Sequence, residues 1–122
     1  VKELIILALL LTSNPGPAQT IGPEAPKPVV KVKAVATAYC LRGNHTASGK
    51  VVYRGCIALS RCLVKRLKAH FGDLIVVEGI GTFVFDDLMP PKWQHPRVDI
   101  HYPTLKECYR FPNGEKFLVW KK

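Results

Sequence analysis

The residues best suited to chemistry in this chain are three aspartates: Asp86 and Asp87 side by side, and Asp99 a short distance further on. All three fall within GIGTFVFDDLMPPKWQHPRVDIHY, Gly79 to Tyr102. Two apolar runs in this stretch, Thr82–Phe85 and Val98–Tyr102, have the pattern of buried strands. Asp86 and Asp87 are expected to end the first strand, and Asp99 to sit inside the second. A carboxylate between Val98 and Ile100 is costly to desolvate unless it is paired or takes up a proton. General acid–base chemistry uses carboxyl groups in such surroundings.

The elements around the aspartates follow from pattern and punctuation. Pro90, Pro91 and Pro96 exclude a helix between the two strands, so an ordered loop carrying Lys92, Trp93 and His95 is expected there. Upstream, VVKVKAVATAYC alternates Val and Ala with Lys and Thr, as a half-exposed strand ending at Tyr39 does. The stretch LRGNHTASGKVVYRGC reads as a long polar loop or loose hairpin, in which Thr46, Ser48 and Gly49 offer hydroxyls and backbone N–H groups. Next comes a short strand and then one clear amphipathic helix, with Ser60 as N-cap, Leu63, Val64, Leu67 and Phe71 on the apolar face, and Gly72 as its stop. DLIVVEG predicts a compact buried strand. Pro103-Thr104 opens a second short helix, TLKECYRF, and PNGEKFLVW predicts a turn and a closing strand. Many short strands, two small helices and no internal repeat indicate a mainly β chain folded as a small barrel.

At 122 residues there is room for one core. The net charge of +9 favours anionic partners such as nucleic acid, anionic membrane surfaces or acidic wall polymers; a solvated basic surface accounts for the excess equally well. Six of the nine acidic residues nevertheless lie between Asp73 and Asp99 or at Glu107, in the half that carries the candidate site. The densest basic run, Arg61–Lys68, falls on the polar face of the predicted helix, so no nucleic-acid partner is expected.

Residues 1–18 have the form of a secretory signal peptide: Lys2, an apolar core from Leu4 to Leu11, and small residues at Gly16 and Ala18. That core is too short to span a bilayer. Residues 19–33 form a Pro-rich linker, and residues 34–122 the folded domain. A secreted, periplasmic or cell-wall location follows as the expectation, with no stable membrane insertion and a monomeric state. Cys40, Cys56, Cys62 and Cys108 are even in number and lack zinc-ligand spacing. In an oxidising compartment they predict disulfides, with Cys40–Cys56 and Cys62–Cys108 as the preferred pairing of three. No metal and no cofactor is expected.

Taken together, TAY at Thr37–Tyr39, ASG at Ala47–Gly49, GCIALSR at Gly55–Arg61, FGDLIVVEGIGTFVFDDLMP at Phe71–Pro90 and RVDI at Arg97–Ile100 resemble the 3D domain, a family named for three aspartates. The resemblance runs from Val35 to about Trp120. It implies a double-psi β-barrel, related to the barrel of MltA-type lytic transglycosylases. The implied activity is cleavage of the MurNAc–GlcNAc β-1,4 bond of peptidoglycan glycan strands, with formation of 1,6-anhydroMurNAc. The implied catalytic residues are Asp87 and Asp99; Asp86 is set aside because neighbouring strand residues face opposite ways. Thr37, Tyr39, Thr46, Ser48 and Gly49 match a polar rim that would bind sugar, Trp93 would stack on a sugar ring, and Lys92 and Arg97 would meet carboxylates. The chain departs from the family between Ala58 and Cys62, where Ser60 and Cys62 stand in place of an aspartate. A noncatalytic peptidoglycan-binding module using the same cleft is the alternative expectation.

Overall fold

The computed structural model describes residues 28–40 and 43–122; the signal-peptide assignment lies outside them. Six strands, β1 (Val32–Tyr39), β2 (Cys56–Leu59), β3 (Leu74–Val77), β4 (Gly81–Leu88), β5 (Arg97–His101) and β6 (Lys116–Lys121), are accompanied by two helices, α1 (Arg61–Leu67) and α2 (Leu105–Arg110). The strands close into a barrel in the order β1-β5-β2-β4-β3-β6. The expected mainly β barrel with two short helices is therefore present. Two pairings, β1 with β5 and β2 with β4, are parallel, and the remaining four are antiparallel. Strands distant in sequence thus interlock around one core.

Alternation decides which side chains fill that core. In β1, Val32, Ala34 and Ala36 point inward and are buried, whereas Thr37 and Tyr39 remain half-buried. Ile57, Leu59, Leu63, Ile75, Phe85, Val98, Ile100 and Val119 complete the interior. Complete burial of side chains of this size stabilises by about 1.5–3 kcal/mol each before entropy is counted. Val32 is 2% exposed and pairs with Val119 of β6, so the barrel's first strand is tied into the core from its first residue.

Several local expectations are corrected by packing. The helix α1 ends at Leu67, because Lys68 turns left-handed (φ 53°) and the Ala69 N–H returns to the Val64 carbonyl, a Schellman-like closure. Phe71 thus lies beyond the helix, with its ring 4.9 Å from that of Phe85. Ser60 occupies the N-cap, but its hydroxyl makes no capping bond; it accepts the Arg97 N–H at 3.0 Å. Thr104 does cap α2, accepting the Glu107 N–H at 3.2 Å and donating to the Glu107 carboxylate at 3.0 Å. The strand β3 is exposed on one side, with Leu74 42% accessible, rather than buried throughout. The strand β4 continues through Asp86 and Asp87 to Leu88 instead of ending at them.

The expected disulfides are absent: all four cysteines are free thiols. Cys56 opens β2 and Cys40 follows β1, and β5 lies between those strands. Two strand spacings of about 4.8 Å exceed the roughly 7 Å limit for bridging Cα atoms. Cys108 neighbours Cys40 rather than Cys62, close enough for the Cys40 thiol, after burial, to raise the Cys108 pKa. Among the described residues no helix is long and apolar enough to cross a membrane.

Candidate active site

A single extra residue in β4 creates the site. The pairing of β2 with β4 runs Cys56–Val84 and Ile57–Phe85, then slips to Ala58–Asp87, leaving Asp86 as the added residue of a bulge. A bulge reverses the alternation downstream of it. Phe85 faces the core, yet Asp87 faces outward with Ala58. Across the other edge of β2, Ala58 pairs with Asp99, and Asp99 pairs with Thr37 of β1. The order Asp87, Ala58, Asp99, Thr37 therefore crosses four adjacent strands on the outer face of the barrel. The two aspartates flank the small side chain of Ala58, with their backbones about two strand spacings, roughly 10 Å, apart.

Each carboxyl group has its own surroundings. Asp87 Oδ1 accepts the Ala47 and Leu88 N–H groups, both at 2.9 Å, and Oδ2 lies 3.5 Å from the Tyr39 hydroxyl. Asp99 Oδ1 accepts the Thr37 hydroxyl at 3.0 Å. Burial raises the Asp99 pKa to about 6; Thr37 and the Arg97 guanidinium oppose the rise, and Asp87 adds a small upward push. Desolvation thus dominates, and repulsion between the two carboxylates is secondary. Burial, the Cys56 thiol and the two aspartates all raise the Tyr39 pKa, which keeps its phenol protonated. The Tyr39 ring lies 5.2 Å from that of His101. Burial, then the Arg54 charge, lowers the His101 pKa.

These groups border a cleft of about 340 Å³ lined by Tyr39, Ala58, Asp87, Leu88, Met89, Pro90, Lys92, Trp93 and Asp99. The Pro-rich loop between β4 and β5 supplies one wall and is pinned by a turn, Trp93 N–H to Pro90 carbonyl at 3.1 Å. Another hollow of about 320 Å³ lies beside Tyr102 and Phe111. Its carboxylate, Glu107, is already held by both terminal guanidinium nitrogens of Arg54, Nη1 and Nη2, so it offers no free acid.

The predicted site residues divide into two groups. Thr37, Tyr39, Asp87, Trp93 and Asp99 come together at the cleft, Thr37 through its bond to Asp99. Thr46, Ser48 and Gly49 do not line it and instead build the neighbouring loop. Thr46 is buried, its hydroxyl 2.8 Å from that of Ser48, and the Gly49 N–H closes onto the Thr46 carbonyl at 2.9 Å. Gly49 has φ 93°, a conformation that favours glycine. The loop is stitched to the bulge by Ser48 N–H to the Asp86 carbonyl at 3.0 Å, which brings Ala47 N–H to Asp87.

Asp86 turns the other way. It is 1% exposed, accepts the Tyr53 hydroxyl and lies 3.6 Å from Lys50 Nζ. Burial and the Asp86 contact raise the Tyr53 pKa, so the phenol remains a donor. Ala58, Tyr53 and the Ala47 N–H carried no chemical signal in the sequence, since each acts through position alone. Among the described residues, no group of three His, Cys, Asp or Glu side chains is arranged to hold a metal ion. Comparison of the chain with protein-family models and with curated proteins returned no match.

Proposed function

We propose that this barrel is an exported peptidoglycan lytic transglycosylase, acting as a monomer on glycan strands at the cell wall without a cofactor. The observation that carries the proposal is the placing of Asp99, half-buried with its pKa lifted to about 6, one small residue away from a donor-cradled Asp87 at an open cleft. Two carboxyl groups in unlike environments suit division of labour between an acid and a charged stabiliser.

In this reading the protonated Asp99 gives its proton to the glycosidic oxygen as the bond from the MurNAc anomeric carbon breaks. Asp87, oriented by the Ala47 and Leu88 N–H groups, places negative charge beside the oxocarbenium-like centre. The Asp99 carboxylate then removes the proton of the MurNAc 6-hydroxyl, whose oxygen attacks the anomeric carbon and closes the 1,6-anhydro ring. Asp99 ends the cycle protonated, and no water is consumed. The Thr37 hydroxyl orients Asp99 throughout, and Trp93 offers a stacking face at the edge of the cleft.

Digestion of purified peptidoglycan with the full chain, read by mass spectrometry, tests this. Products ending in 1,6-anhydroMurNAc are expected, and Asp87→Asn should lower their rate by about 10²–10⁴-fold while the circular dichroism spectrum is retained. Reducing ends would mean that water is the nucleophile. Intact strands that sediment with the protein would establish the second reading, a noncatalytic glycan-binding module. That reading draws support from Ser60, which stands where the resembled family carries an acid and is fully buried, bonded to the Arg97 backbone.

A further inference from the structure

One wall of the cleft is basic and aromatic, in contrast to the acidic floor. Lys92 and Trp93 line the cleft together with Asp87 and Asp99. The Arg97 guanidinium carbon lies 4.1 Å from the centre of the Trp93 ring, and Lys92 Nζ lies 5.2 Å from it. The His95 ring meets the Trp93 edge at 5.7 Å. Among the described residues, neither Lys92 nor Arg97 forms an ion pair, although the chain's other carboxylates do recruit Lys50, Arg54 and Lys121. Arg97 Nε is buried with no hydrogen-bond partner.

The wall is also held in place before any ligand arrives. Ser60 and Arg97 exchange two bonds, Ser60 N–H to the Arg97 carbonyl at 2.9 Å and Arg97 N–H to the Ser60 hydroxyl at 3.0 Å. Trp93 is fixed by its turn to Pro90, and prolines limit the loop at both ends. A guanidinium stacked on an indole keeps its N–H edge free for a planar acceptor, and a carboxylate matches that edge. Arg97 already feels the Asp99 carboxylate, but a neutral sugar would leave Lys92 without a counter-charge.

We propose that Lys92, Trp93 and Arg97 form a subsite for a carboxylate carried by the glycan, next to the bond held over Asp87 and Asp99. The inference rests on the glycan-cleaving reading and narrows its substrate class to acidic saccharides. The carboxylate is either that of the lactyl ether on a peptide-free MurNAc or one on an attached stem peptide. Either would sit beside the Trp93 ring, accept from the edge of the stacked Arg97 guanidinium and pair with Lys92. The same wall would raise the local concentration of an anionic strand, as a focused positive potential does.

The test uses the full chain carrying Asp99→Asn, so that strands are bound but not cut. Kd is measured by tryptophan fluorescence for peptide-free glycan strands, for peptide-bearing strands, and for each of these with its carboxylates converted to neutral amides. At least one carboxylate form should bind about tenfold more tightly than its amide at low salt, with the gap shrinking in 0.5 M NaCl. Which form shows the gap identifies the source of the carboxylate. Adding Lys92→Glu, a change at an exposed loop position, should close the gap. Equal Kd for the carboxylate and amide forms, or a gap that survives Lys92→Glu, would overturn the subsite alone. Failure of every strand to bind, together with no cleavage by the unmodified chain, would overturn the glycan reading and the subsite with it.

Discussion

Asp99→Asn should make the folded protein more stable at neutral pH while removing the proposed glycan cleavage. Burial lifts the Asp99 pKa from its ordinary 3.8 to about 6, so the folded state holds this proton more tightly than the unfolded chain does. The stability linked to that proton is fully present below pH 4 and is lost as pH rises through 6. A shift of about two units corresponds to about 3 kcal/mol at 1.36 kcal/mol per unit, and partial solvent access reduces this to about 2 kcal/mol. Asparagine has no charge to desolvate and can still accept from the Thr37 hydroxyl. Thermal melts of both proteins from pH 4 to pH 8 would read the difference. The variant should gain on the parent by about 2 kcal/mol across that range, or roughly 8–16 °C in Tm for a domain of this size. A Tm difference that does not change with pH, or a variant less stable than the parent at pH 8, would refute burial as the cause of the raised pKa. The same group predicts that kcat/KM on peptidoglycan falls tenfold per pH unit above about pH 6, as the acid form of Asp99 is lost.

Two further substitutions probe the geometry of the site. Ala58→Leu places a larger side chain between Asp87 and Asp99; it should abolish glycan binding at a stability cost of about 1–3 kcal/mol, and unimpaired binding would mean that the ligand does not cross the row. Tyr53→Phe removes the hydroxyl that Asp86 accepts from, leaving a buried carboxylate with Lys50 as its remaining side-chain partner. Urea unfolding should show a loss of about 1.5–3 kcal/mol with an unchanged m value.

Much of the barrel was legible in the chain. The Val/Lys and Ala/Thr alternation of β1 marks its two faces, because a side-chain period of two is a local property of extended backbone. The start of α1 after Ser60 and the capping of α2 by Thr104 are equally local. The end of α1 was not legible, since Lys68 takes the left-handed turn in place of the glycine that signals such ends. Cysteine pairing was also hidden: even number and compartment suggest bridges, but strand order separates Cys40 from Cys56 and brings Cys108 towards Cys40.

The candidate site shows the same division most clearly. Residue types alone offer Asp86, Asp87 and Asp99, and the hydrophobic neighbours of Asp99 already indicate an acid that is costly to ionise. Their meeting on one face depends on the bulge at Asp86, which arises from how β2 pairs with β4. One extra residue there reverses the facing of the β4 residues that follow it, Asp87 and Leu88, and no local pattern reports it. Thr46, Ser48 and Gly49 similarly look like ligand-binding groups in the sequence, yet their hydrogen bonds are spent on shaping a loop that hands Ala47 N–H to Asp87. Composition and periodicity are carried along the chain, whereas register and desolvation are set by segments far apart in sequence that touch only once the barrel has closed.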